Sequence, residues 1–225
     1  MDTIIYLTLT IAYLVLFIWG IQLANRHGWI RMENVLLLVI LALLYDNAIL
    51  GLGKYIGEGE VLQSLSVVRY WLHALITPLL VLFAWRTLVN ADVEWAKSNV
   101  VRWIAILLTL SLIIYDLAFE VWNIGLEPAW KNGVLSYQVV NNEGNLPIMI
   151  IGVSVVLFIT SLFIWIKQRW PWYFIGILFM SITPLLGTWL GSDAFHNIGE
   201  FVLLQSLLAT RSFQQQRDCR MNEQQ

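Results

Sequence analysis

Charge is scarce in this chain. Of 225 residues only 12% are Asp, Glu, Lys or Arg, about half the share usual in a soluble domain. The formal net charge is −2 and there is no basic tract, which excludes a nucleic-acid binder held by phosphate contacts. A single cysteine, Cys219, stands in the polar C-terminal segment, so no internal disulfide forms and a disulfide-stapled secreted scaffold is excluded. Low-complexity stretches and internal repeats are lacking as well. What is abundant is apolar surface: 59% of residues are hydrophobic, and the mean hydropathy is +0.70. A soluble fold of this size has no interior able to hide that much. The composition also excludes a disordered chain and points to an integral membrane protein in contact with the lipid bilayer.

A membrane-crossing helix takes about 20 mostly apolar residues. Seven segments qualify: 3–24, 33–53, 62–86, 100–123, 146–166, 171–190 and 194–211. They predict an all-α, seven-helix bundle forming one domain over 1–211, with a polar tail at 212–225. The first segment does not read as a cleaved signal: Asp2 stands where a base belongs, and no small-residue cleavage site precedes Asn25. Pro78, Pro147 and Pro184 fall within three spans, where neighbouring helices satisfy the backbone groups that a proline frees.

Basic residues are one-sided. Arg26, Arg31, Arg86, Lys97, Arg102, Lys167, Arg169, Arg211, Arg217 and Arg220 flank one set of span ends, and only Lys54 and Lys131 flank the other. The positive-inside bias then predicts an outward N-terminus and a cytoplasmic C-terminus, as an odd number of spans requires. Residues 124–145 form the one long connection, on the outer side, and read as a lid, a short hairpin, an interfacial segment or a plain surface loop.

Ionisable groups inside a bilayer are expensive and usually face the bundle interior. Asp46 and Asn47 lie late in span two, Arg69 and His73 early in span three. Asp116 and Glu120, followed by Asn123, lie late in span four, and His196, Asn197 and Glu200 early in span seven. With the spans alternating in direction, all four groups fall in the outer half, while the inner halves carry almost none. Arg69/His73, Asp116/Glu120 and His196/Glu200 are i, i+4 pairs, each on one helix face. The reading is a polar chamber under the outer surface. Tyr45, Tyr70, Trp71, Tyr115, Phe119, Trp122, Trp189 and Phe195 adjoin these positions, as chamber lining or as an interfacial aromatic belt. A structural network of polar bonds between helices is the alternative.

Three functions suit such a chamber. Metal-assisted lipid hydrolysis would use His73, His196 and Glu200 as zinc ligands, with Asp46 or Asp116 as a fourth ligand or base. His196-x-x-x-Glu200 and Arg69-x-x-x-His73 partly resemble the His-x-x-x-His and Ser-x-x-x-His pairs of seven-helix ceramidases and adiponectin-receptor-type hydrolases. Acid-initiated isoprenoid cyclisation, without a cofactor, would use a carboxylic acid as proton donor and aromatic faces to steady the carbocation. The layout, with seven spans, a long loop after the fourth and an acid closing the second, resembles the small seven-helix membrane terpene cyclases of fungal meroterpenoid and indole-diterpene pathways. That family has Trp-Glu where this chain has Tyr45-Asp46, and an Asp in the last span near the place of Glu200. The resemblance implies that Asp46 protonates the substrate, that Glu200 is a second acid or the final base, and that His73, Asp116 and Glu120 tune them. Asn47, Arg69, Tyr70, Tyr115, Trp122, Asn123, Trp189, His196 and Asn197 would then bind substrate. The third function is a seven-helix receptor or sensor. A retinal protein is disfavoured because 194–211 has no lysine. A transporter is disfavoured because the inner halves offer no polar path.

Overall fold

The computed structural model describes residues 1–122, 124–140 and 147–222. Among these residues eight α-helices carry the fold: α1 (Asp2–His27), α2 (Val35–Ile56), α3 (Glu60–Ile76), α4 (Leu79–Asn90), α5 (Asn99–Asp116), α6 (Ile148–Gln168), α7 (Trp172–Leu190) and α8 (Ala194–Asn222). Their ends follow local chemistry. Asp2 opens α1, while Arg26 and His27 close it, each complementing the helix dipole. The Ser98 hydroxyl caps α5 by accepting from the Val101 amide at 3.3 Å.

Among the described residues six helical stretches are long and apolar enough to cross a bilayer: Asp2–His27, Met32–Ile56, Glu60–Asn90, Asn99–Val121, Ile148–Gln168 and Trp172–Leu190. The protein is thus an all-α, multi-pass membrane bundle. The expected span 62–86 is a broken one, because α3 stops at Ile76 and α4 starts after Pro78, whose ring cannot continue a helix without distortion. The expected span 194–211 lies within α8, which is more polar than the other long helices. Residues 212–222, expected as a tail, continue α8, and Gln214 and Gln215 on it are buried.

Pro184 sits inside α7 without breaking it. It leaves the Met180 carbonyl without its usual amide partner, and the Thr183 hydroxyl donates to that oxygen at 2.9 Å. Outward faces carry Ile11, Val15, Val100, Leu107, Ile166 and Leu185, the surface a lipid-facing helix presents. Inward, Tyr13, Phe83, Leu36, Ile40, Met149, Leu157, Tyr173 and Ile177 are sealed from solvent. Helix α8 packs along α7 and α1. A Cβ added to Gly199 would stand 3.0 Å from Thr183 Cβ, and one on Gly176 would stand 2.6 Å from Ser206 Cβ. Small residues at those crossings let the backbones approach closely.

The two ends of the bundle differ. At one end, residues of the long connection form an antiparallel hairpin, β1 (Leu126–Lys131) and β2 (Val134–Val139), with Lys131 opposite Val134. Asn132 and Gly133 both have positive φ, 52° and 82°, as a two-residue hairpin turn of the favoured twist requires. Of the four readings of this segment, the fold realises the hairpin. Leu135 and Tyr137 pack with Ile49 and Leu62, and Val134 packs with Tyr6 and Ala194. A methyl group on Gly53 would collide with the carbonyl oxygen of Leu135, so the bare Gly53 backbone is the hairpin's seat on α2.

At the other end lies a polar layer that the sequence reading did not anticipate. Glu33, 2% exposed, accepts from Arg86 Nε at 3.2 Å and Asn90 Nδ2 at 2.8 Å. Arg211, 1% exposed, donates to Asn34 Oδ1 at 2.6 Å. Gln214 donates to the Thr87 carbonyl at 3.0 Å and to Gln168 Oε1 at 3.1 Å. These bonds tie α8 to the turn before α2, to α4 and to α6 where the basic residues gather.

Candidate functional site

Beneath the hairpin is a cavity of about 620 Å³, large enough for a ligand of metabolite size. Most of its polar lining comes from α2, α3, α8 and the hairpin. The last turns of α2 supply Asp46. α3 supplies Arg69, Tyr70 and His73, which fall on one face at spacings of three and four. The first turns of α8 supply His196, Asn197 and Glu200 by the same periodicity. The hairpin roofs the space with Lys131, Ser136, Tyr137 and Gln138.

Asp46 is the centre of the polar lining. Its Oδ1 accepts from Arg69 Nε at 2.8 Å, and its Oδ2 accepts from Asn197 Nδ2 at 3.2 Å. Three helices distant in sequence are joined through one carboxylate. The Arg69 guanidinium also stands 5.7 Å from the centre of the Tyr70 ring, within cation–π range. The Tyr70 hydroxyl donates to the Tyr137 carbonyl at 3.3 Å, and the Tyr137 hydroxyl accepts from the Gly59 amide at 3.1 Å. The roof is therefore bonded to the wall. One helical turn apart on α8, His196 Nε2 approaches Glu200 Oε1 at 3.4 Å, and His73 Nδ1 is 3.4 Å from the Thr77 hydroxyl.

A second, apolar cleft of about 30 Å³ adjoins the first. Val39, Leu80, Val153, Leu157, Met180, Leu203 and Leu204 line it. Five residues border both spaces: Leu43, His73, Ile150, His196 and Glu200. The two imidazoles and one carboxylate thus stand where polar lining gives way to hydrocarbon.

Of the residues expected at the site, Asp46, Arg69, Tyr70, His73, His196, Asn197 and Glu200 line the large cavity, and Asn47, Tyr115, Asp116, Glu120, Trp122 and Trp189 do not. Asn47, one residue round the helix from Asp46, is fully buried on the other side and donates to the Leu43 carbonyl at 2.8 Å. Asp116 is buried outside the lining. Beyond it the chain makes a π-helical turn, Leu117–Val121, closed by the Trp122 amide on the Leu117 carbonyl at 2.9 Å. This wider turn shifts the helical phase. Glu120 stays off the cavity, Trp122 is 71% exposed, and Tyr115 stacks on Phe119 with ring centres 4.9 Å apart. Trp189, 91% exposed, points away from the bundle. Both tryptophans belong to the outer apolar surface, and the aromatic rings on the cavity are Tyr6, Tyr70 and Tyr137. Asn123 lies outside the described residues. The structure adds Asp2, Tyr6, Lys131, Tyr137 and Asp193 to the lining. The Asn132-Gly133 pair was the sequence signal for the hairpin that brings two of these in.

Among the described residues no three His, Cys, Asp or Glu side chains converge as a metal-ligand set. His196 and Glu200, two of the three expected zinc ligands, instead face each other at hydrogen-bonding range. Compared with known proteins, the chain matches no protein-family model and no curated protein.

Proposed function

We propose that this chain is an integral-membrane enzyme performing acid–base chemistry on a lipid or isoprenoid. The polar or reactive end of the substrate occupies the chamber under the hairpin, and the adjoining apolar cleft, at about 30 Å³, takes in only a small apolar group of its hydrocarbon. The observation that carries this reading is the placement of His73, His196 and Glu200 on the border between the two spaces. A proton delivered there reaches a carbon or oxygen held at the edge of an apolar environment, where a fixed acid is most effective.

Proton-initiated cyclisation of an isoprenoid is the reaction we assign. The His196–Glu200 pair gives a proton to an alkene or epoxide, the resulting carbocation closes a carbon–carbon bond, and a proton returns to His73 or to the same pair. The product is an isomer of the substrate. Asp46 is better suited to holding Arg69 and Asn197 than to donating, since both of its oxygens accept hydrogen bonds. Reaction in heavy water tests this. Purified protein in lipid nanodiscs, given a panel of linear isoprenoid alcohols and epoxides, should yield isomeric products carrying one solvent deuterium. Products that instead carry oxygen from ¹⁸O-water, formed by a chelator-sensitive activity, would replace cyclisation with zinc-dependent hydrolysis. Binding without conversion across the panel would favour a receptor.

We further propose seven crossings, with α3 and α4 as one broken span and α8 as the seventh, and with the chamber on the extracytoplasmic side. Asn197, Glu200, Ser206, Thr210 and Arg211 of α8 are buried within the protein, which relieves the cost of placing them at membrane depth. Cys219, the chain's one cysteine, is exposed on α8 and reports the orientation. A membrane-impermeant maleimide should label it in inverted vesicles and leave it unlabelled in intact cells; the opposite pattern reverses the topology.

A further inference from the structure

The chamber's charges indicate which head group it accepts. Four carboxylates line it, Asp2, Asp46, Asp193 and Glu200, against two permanent cations, Arg69 and Lys131. Each cation already has a carboxylate beside it. Arg69 Nε is 2.8 Å from Asp46, and Lys131 Nζ is 3.9 Å from Asp193. The amide donor of Asn197 is spent on Asp46 as well. With neutral imidazoles the lining carries two negative charges in excess, and protonating both imidazoles only brings it to zero. A phosphate ester adds one to two negative charges to a lining that already has carboxylates in excess. To pair with Arg69 it would have to compete with a guanidinium–carboxylate bond already made. The surplus at this site is of acceptors, which calls for a ligand that donates.

We infer that the physiological ligand of the chamber is a lipid or isoprenoid whose head donates hydrogen bonds and bears no phosphate: a hydroxyl or an amine, not a mono- or diphosphate ester. This rests on the chamber being a lipid-binding site, as proposed above, but not on its catalysing any reaction.

Equilibrium binding to the full-length protein in uncharged phosphatidylcholine nanodiscs tests the inference with three probes that share one farnesyl chain: farnesol, farnesylamine and farnesyl phosphate. Farnesol and farnesylamine should each bind about tenfold or more tightly than the phosphate, a difference of about 1.4 kcal/mol, and displace one another. Glu200→Gln should narrow the gap by removing one of the repelling charges. If that variant does not fold, Asp193→Asn, which removes another lining carboxylate and frees Lys131, should narrow the gap in the same way. Farnesyl phosphate binding as tightly as the alcohol, or no saturable binding of any probe, overturns the inference. Because turnover is never read, the outcome is separable from the enzymatic reading. The expected order of affinities with no deuterium incorporation leaves the head-group assignment standing and removes the catalytic one.

Discussion

Glu200→Gln protein should insert, fold and bind ligand, yet turn substrate over about 10²–10⁴-fold more slowly, the usual contribution of a positioned acid or base. Glutamine keeps the size of the side chain and a hydrogen bond toward His196 Nε2, now at 3.4 Å from Glu200 Oε1, but it can neither hold nor release a proton. Asp46→Asn makes the informative contrast. It leaves the Arg69 guanidinium, whose side chain is only 12% exposed, without its charge partner. Losing one member of such a pair is costly chiefly through the partner left behind, so this variant should lose thermal stability as well as activity. Product formation and melting temperature measured on both variants separate the roles. A slow but fully stable Asp46→Asn beside an active Glu200→Gln would return the proton-donating role to Asp46, as the terpene-cyclase resemblance implied.

The second large effect lies at the far end of the bundle. Glu33→Ala should destabilise the protein by about 2–3 kcal/mol, in the range for stranding buried groups that bond to a charge. Two donors on α4, Arg86 Nε and Asn90 Nδ2, converge on the Glu33 carboxylate. Asn90 loses a partner outright. Arg86 is 38% exposed and recovers part of its loss from solvent, which keeps the effect below that of a fully buried pair. Glu33→Gln retains an acceptor for Asn90 and should fall midway. Unfolding in mild detergent, followed by circular dichroism, reads both. An unchanged midpoint for Glu33→Ala would mean that the polar layer does not hold the turn before α2 to α4. Because Glu33 is remote from the chamber, ligand affinity should be unaffected in whatever fraction stays folded.

The helical bundle and its membrane residence were legible in the chain because apolar run length is a local property, and hydrocarbon tolerates few alternatives to a helix of about 20 residues. The i, i+4 spacing of Arg69/His73 and His196/Glu200 was legible for the same reason, since helix geometry alone puts both members on one face. Asp116/Glu120 obeyed the same spacing and does not reach the cavity. The π turn after Asp116 depends on how that segment seats against α3, which spacing within the segment does not encode. Asp46 and Asn47 were equal candidates in sequence, and only the rotation of α2 in the bundle sent one to the cavity and the other into packed interior. The aromatic residues near the polar positions divided in the same way: Tyr70 turned inward, while Trp122 and Trp189 turned out.

The amino-acid order by itself therefore determined the class of molecule, the approximate helix boundaries and the helix faces that carry polar groups. Each of these follows from hydrophobicity and helical periodicity over a few turns. Tertiary structure decided which faces meet: that Asp46 joins α3 to α8, that Tyr137 and Lys131 of a hairpin complete the chamber, and that an apolar cleft begins at His73 and Glu200. Those contacts link residues up to 151 positions apart. They depend on the rotation and tilt of whole helices, quantities set by the packing of every helix at once and by no local stretch of sequence.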